Sequence, residues 1–379
     1  MVTDEITRVP VFPTAEETMR HPSYSSTIWN LEPDRKGICP VAKDRGGPFN
    51  IAWEIHGHGP SKIIVRKPSP TQMIPLSLAH LGTNTNQKFI MGLAGLKTSW
   101  QRQTKYFGHD NASQYSVLIL DNRGMGESDV PYLRYSTSEM AHDALEVLTN
   151  VGWTASRSVH LFGISMGGMI SQELAFAAPN LFASVTLLCT APWIENTKSL
   201  LENMRDRAAM LVPKSADRSI ADTSLKLFPA DWLVMPDEAA ELPNDATYKC
   251  GPADGGQGYG RFESNFQRFQ AQELIKRNTP GLFSIRGFLQ QLVAAGWHHK
   301  SPAQLKQLAD QVGRERIAVI HGLGDVMIDS HHGRLLAEHL QPGVVEFVEG
   351  MGHAPIMDRV PWMNKWLEER IATVEKMSA

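Results

Sequence analysis

At 379 residues, with 42% apolar and 20% charged positions, the chain is long enough to bury a large core without disulfides or a structural metal. Its 37 basic and 40 acidic residues leave a net charge of −3, which gives no electrostatic footprint for nucleic acid, and its three scattered cysteines (Cys39, Cys189, Cys250) form neither a disulfide framework nor a CxxC pair. A polar, acidic N-terminus and the lack of any run of about 18 apolar residues predict neither a secretion signal nor a membrane span, so a cytoplasmic chain is expected.

Six prolines and little periodicity in residues 1–48 predict an N-terminal arm, either extended or wrapped on the core's surface. Short β-branched runs then alternate with helical stretches, the pattern of a mostly parallel sheet covered by helices. Strands are predicted at Phe49 to Ile55, Lys62 to Arg66, Lys88 to Leu93, Ser116 to Asp121, Arg157 to Phe162, Ser184 to Cys189, Arg316 to His321 and Val344 to Val348. The polar, proline-bearing stretch Lys67 to Gln87 reads as a surface insertion. From about Trp193 to Gly313 strands give way to helical periodicity at Leu200 to Leu211, Phe262 to Ile275 and Phe288 to Ala295. The organisation predicted is therefore an α/β core over 49–193 and 314–379, with a helical cap at 194–313. The glycine-rich loop from Cys250 to Gly260 lacks the Lys-Ser/Thr and the preceding strand of a phosphate cradle, so no nucleotide cofactor is expected.

The sharpest local feature is Val159-His-Leu-Phe-Gly-Ile-Ser165-Met-Gly-Gly-Met, which reads as strand, tight turn and helix. Small flanking residues let the backbone double back and expose the Ser165 hydroxyl as a nucleophile. The Met166 amide would then stand at a helix N-terminus, facing developing negative charge. A serine needs a general base, and that base needs a carboxylate to fix its tautomer. Asp325 follows the apolar strand Arg316 to His321, and His353 follows Val344 to Val348, so both fall beyond the carboxyl ends of strands, where open parallel sheets place their sites. Asp329 competes with Asp325 for the role of acid. Asp325, Asp329, His331 and His332 also admit a metal-site reading, but adjacent histidines point different ways, and no metal is expected. His298 and His299, beside Trp297, are candidates either for lining a pocket or for packing.

On these motifs the chain resembles the capped members of the α/β-hydrolase superfamily, from about residue 49 to 372. Ser165, Asp325 and His353 occur in that superfamily's order of nucleophile, acid and histidine. The resemblance implies an eight-stranded, mostly parallel sheet with the cap inserted between core strands 6 and 7. Ile90-Met91-Gly92-Leu93 is similar to the loop after the third core strand, with Met91 where the family often has His, and implies that the Leu93 amide joins that of Met166 as an oxyanion hole. Asp121-Asn-Arg-Gly-Met-Gly-Glu-Ser128 resembles a segment after the fourth strand and implies a packing role beneath the site. A closer likeness is to uncharacterised fungal hydrolases in which Asp-Asn-Arg-Gly-Met-Gly, Gly-Ile-Ser-Met-Gly-Gly-Met and Gly-Trp-His-His recur together; Lys67 to Gln87 departs from them. The activity implied is acyl transfer through Ser165, as an esterase or lactonase acting on a small, apolar ester. A C–C bond hydrolase or an acyltransferase would use the same triad, and a non-catalytic ligand-binding member of the fold is the alternative from another class.

Overall fold

In a computed structural model of the chain, the described residues are 11–59, 85–195, 214–237, 242–253 and 258–377. The strand expected at Lys62 to Arg66, most of the insertion Lys67 to Gln87 and the helix expected at Leu200 to Leu211 lie outside them, as does 254–257 of the glycine-rich loop.

Eight strands form one sheet: β1 (Arg35–Val41), β2 (Phe49–His56), β3 (Thr85–Ile90), β4 (Tyr115–Leu120), β5 (Val159–Ile164), β6 (Phe182–Leu188), β7 (Ile317–Gly322) and β8 (Val344–Val348), in the spatial order β1-β2-β4-β3-β5-β6-β7-β8. β2 runs antiparallel to both β1 and β4, and the remaining neighbours are parallel. β4, β5, β6 and β7 are buried at every position, as apolar strands covered on both faces must be.

The expectation of an arm over residues 1–48 is corrected here. Arg35–Val41 forms an edge strand of the sheet, and the short helix α1 (Ala15–Arg20) docks on the cap, where Thr18 Oγ1 bonds Gln270 Oε1 at 2.5 Å and Phe12 stacks on Phe266 at 3.8 Å.

The helix α2 (Gln101–Lys105) follows the loop after β3, and α3 (Thr137–Val151) and α4 (Met166–Ala177) flank the sheet. A capping box of Ser136 and Glu139 starts α3, and Gly152, at φ 84°, ends it. Between β6 and β7 lie α5 (Ala216–Leu227), α6 (Ala230–Val234), α7 (Asn265–Asn278) and α8 (Ile285–Gly296). The two ends of this inserted segment meet: Trp193 and His299 form an antiparallel bridge, and Lys300 N–H donates to Pro192 O at 2.8 Å. The helix α9 (Pro302–Val312), expected inside the cap, instead sends Leu305, Leu308, Ala309 and Val312 into the same core cluster as α3 and α4. The helices α10 (Ser330–Leu340), α11 (Pro355–Asp358) and α12 (Val360–Lys376) complete the covering layers. Among the described residues, no helix is long and apolar enough to cross a membrane.

The segment inserted between β6 and β7 rests on the loop after β4 at a bare backbone contact. Gly124, at φ 94°, meets Gly287 of α8 so closely that a Cβ on Gly287 would stand 1.9 Å from the Gly124 carbonyl oxygen. Around it, Gly126 N–H donates to Leu282 O at 3.0 Å, and Gln290 Nε2 donates to the Pro131 and Leu133 carbonyls at 3.0 Å each.

Candidate active site

Ser165 sits between the end of β5 and the start of α4 at φ 57° and ψ −126°, a conformation that costs an L-residue free energy and persists only where its surroundings hold it. They do so here: Ser165 N–H donates to Leu188 O at 3.0 Å, and Thr190 Oγ1 donates to Ser165 O at 2.6 Å. The flanking glycines are required by space. A Cβ on Gly163 would lie 2.2 Å from Ser171 Oγ, and one on Gly167 would lie 2.2 Å from Ile90 O and 2.7 Å from Met91 O. Gly167→Ala is therefore expected to push the end of β3 away from α4, costing roughly 2–3 kcal/mol and lowering activity with it; an unchanged thermal midpoint would contradict this packing.

Asp325 and His353 are brought together. His353 Nδ1 donates to Asp325 Oδ2 at 2.7 Å, and both residues are buried. The other oxygen, Oδ1, accepts the amides of Met327 and Ile328 at 2.9 Å each. Burial alone would raise the Asp325 pKa, but hydrogen bonds from His321 and His353 outweigh it and hold the carboxyl down at about 2. The rival Asp329 caps α10 instead, accepting the His331 amide at 2.8 Å. His331 pairs with Glu195 at 3.1 Å and His332 turns back to Asp329 O at 3.1 Å; among the described residues, no group of three or more His, Cys, Asp or Glu could hold a metal ion.

Ser165 stands at the same end of the sheet, half-buried, and its hydroxyl has no hydrogen-bond partner among the described residues. The link from serine to histidine is thus not closed; in free enzymes such bonds are often long and tighten only around substrate. Met166 opens α4, so its amide has no acceptor within the helix. Gly92, next to Leu93, is packed so closely on Ser165 that a Cβ there would lie 3.4 Å from Ser165 Oγ.

Several residues at the site carried no sequence signal. His321 Nε2 donates to Ile328 O at 2.8 Å and lies 3.3 Å from Asp325 Oδ2, which pins the acid from the strand side. The His353 amide donates to Leu227 O at 2.8 Å, so the end of cap helix α5 holds the histidine loop. Beneath that loop, burial pushes the Cys189 thiol far above its ordinary pKa, and Cys189 Sγ donates to Gly352 O at 3.7 Å. Asp358, which accepts a backbone hydrogen bond from Gly352, is raised to about 7, chiefly by burial. His298 packs against Thr137 Oγ1 at 2.9 Å and His299 stacks on Trp193 at 5.6 Å, so the pair fastens the cap's stem.

The segment Asp121 to Ser128 is held by a network of hydrogen bonds. The Asp121 carboxylate accepts the Lys97 amide at 2.8 Å and its ammonium at 3.1 Å, and Lys97 also contacts Glu127. Ser128 Oγ donates to Asp121 O at 2.7 Å and accepts the Ala52 amide at 2.9 Å.

A family description of the alpha/beta hydrolase fold matches residues 89–360. Among curated relatives, a protein named as the carbamate hydrolase RutD of Pseudomonas savastanoi pv. phaseolicola is 26% identical over 194 residues, covering 50% of this chain and 70% of its own. One named as the non-heme bromoperoxidase BpoC of Mycobacterium tuberculosis is 26% identical over 304 residues, covering 80% of this chain and all of its own. A thermophilic esterase from Thermogutta terrifontis shares the fold with a TM-score of 0.60 at 16% identity, over 90% of this chain and 99% of that one. With the family match covering more than half of its residues, the chain belongs to the α/β-hydrolase fold family.

Proposed function

We propose that the protein is a serine hydrolase that cleaves a small to medium, largely apolar carboxylic ester or lactone through an acyl-enzyme on Ser165. The observation that carries this reading is the buried Asp325–His353 pair, closed at 2.7 Å, at the same sheet end as a serine on a strained strand-to-helix turn. With Nδ1–H committed to Asp325, His353 presents a bare Nε2, the form that accepts a proton. Ser165 Oγ attacks the carbonyl carbon while its proton passes to Nε2, and the C=O π pair moves onto oxygen, where the Leu93 and Met166 amides receive it. Collapse of the adduct breaks the bond to the leaving alkoxide, which takes the proton from His353. Water then repeats the sequence on the acyl-enzyme, releasing the acid and restoring Ser165. Met91, half-buried beside the oxyanion loop, packs on the apolar cluster that holds Met351, Phe228 and Ile356, which supports an uncharged substrate.

A fluorophosphonate is expected to label the folded protein once, on Ser165, with the mass increase of one phosphonyl group located by peptide mapping. Failure of Ser165 to react in folded protein would favour a ligand-binding role. Likeness to the protein named as a carbamate hydrolase makes a carbamate the second reading. Relative kcat/KM for p-nitrophenyl butyrate and a p-nitrophenyl carbamate separates the two.

A further inference from the structure

The loop that carries Leu93 is held from the cap. Gly95 N–H donates to Gly92 O at 3.2 Å, which makes Gly92 to Gly95 a β-turn with Leu93 and Ala94 at its centre. Ala94 has a φ of 57° while Leu93 does not share that positive φ, which is the arrangement of a type II turn. That position ordinarily takes Gly or Asn, and an L-residue with a Cβ is disfavoured there by about fivefold to thirtyfold. Rotating the central Leu93–Ala94 peptide would relieve Ala94 by converting the turn to type I.

One side chain of the inserted helices opposes that rotation directly, and a second braces the peptide that follows it. Gln291, on α8, is fully buried; its Oε1 accepts the Ala94 amide at 2.9 Å and its Nε2 donates to Arg123 O at 2.9 Å. Its orientation is fixed by chemistry, because an amide flip would set N–H against N–H and oxygen against oxygen. Lys276, on α7, donates from Nζ to Ala94 O at 3.3 Å. On the opposite side, Asn122 Nδ2 donates to Met91 O at 3.2 Å. The alanine that most needs restraint is thus gripped by both of its backbone polar groups, each from a different cap helix.

We infer that Gln291 is a positioning residue for the oxyanion hole: through the Ala94 amide it fixes the Gly92 to Gly95 turn, and with it the place of the Leu93 N–H that the turn carries. This rests on the serine-hydrolase reading above. It makes the helices inserted between β6 and β7 part of the catalytic geometry.

The test is kinetic and uses p-nitrophenyl butyrate with the full-length chain. Gln291→Met keeps the length and bulk of the side chain and removes both hydrogen bonds. Its kcat is expected to fall about 10- to 100-fold with KM changed less than twofold, as for a donor displaced in the transition state. Adding Ala94→Gly, which removes the penalty of the type II turn, is expected to restore about fivefold of that loss. A folded Gln291→Met enzyme with wild-type kcat overturns the inference. So does a loss that Ala94→Gly leaves unrepaired, since Gln291 would then act by packing alone. Should Gln291→Met fail to fold, Lys276→Met removes the second grip from a less buried site. A severalfold loss of kcat, again repaired by Ala94→Gly, is expected there, and unchanged kcat overturns the inference. Fluorophosphonate labelling of the wild-type enzyme distinguishes the two failures. An inert Ser165 removes the hydrolase reading and this one with it, whereas a reactive Ser165 with an indifferent Gln291 removes only this one.

Discussion

Ser165→Ala is expected to lower p-nitrophenyl ester turnover by about 10⁵- to 10⁶-fold, to the solution background, while leaving the near-ultraviolet circular dichroism unchanged. In the proposed mechanism the oxygen lost is the one that forms the acyl bond. The elbow itself is carried by the backbone bonds of Ser165 to Leu188 and Thr190 and by the glycines around it, none of which needs the hydroxyl. Stability gives an independent reading of the same turn. Alanine keeps the cost of φ 57° and ψ −126°, whereas Ser165→Gly escapes it and is expected to be more stable than Ser165→Ala by about 1 kcal/mol. Wild-type turnover in Ser165→Ala would remove the proposed mechanism; equal stability of the two variants would remove the strain.

Asp325→Asn is expected to lower kcat by about 10⁴-fold, because an amide NH₂ facing His353 Nδ1 selects the tautomer whose Nε2 already carries a proton. The shape of the side chain is retained, so the loss reports the tautomer and not a cavity. A pH series separates the electrostatic part. The Asp325 pKa in the folded protein, about 2, lies below its ordinary 3.8, so the ionised carboxylate stabilises the fold at every pH above about 4. That contribution, about 2 kcal/mol, is lost as pH falls from about 4 through about 2, where the folded protein takes up the proton. Denaturant melts of wild type and Asp325→Asn are therefore expected to differ most at neutral pH and to converge on acidification. A gap that widens toward acid would show that the carboxyl is raised and not lowered.

Much of the site could be read in the chain because its chemistry is tied to local pattern. Ser165 is announced by glycines within two residues on either side, and Asp325 and His353 by the apolar strands just before them. All three lie past strand ends that the structure places within a residue or two of the sequence reading. Its place at the strand end favours Asp325 over Asp329, and the fold separates them physically: one accepts a hydrogen bond from His353, and the other caps its own helix.

What could not be read depends on distant pairing. Edge strand β1 carries Gly37 and Pro40 and is exposed at several positions, so it lacks the alternating apolar signature of a strand; only pairing with β2 shows what it is. The boundary of the cap failed for a related reason. α9 has the same amphipathic texture as the cap helices, and nothing local says that its apolar face meets α4. Gln291 and Lys276 were silent because each acts on Ala94 from about 190 positions away in the sequence, through single hydrogen bonds that leave no periodicity.

The seat between Gly124 and Gly287 bears on how such a protein can change. A Cβ on Gly287 would run into the Gly124 carbonyl, and one on Gly124 would meet the Tyr135 hydroxyl at 2.5 Å on a backbone already at φ 94°, so neither position is free to vary. A helix seated on such a point tilts about it more readily than it slides, since a Cβ brought to the seat would run into the Gly124 carbonyl. Change within the inserted segment is therefore expected to fall on α5 and α7 sooner than on α8, which the seat holds in place.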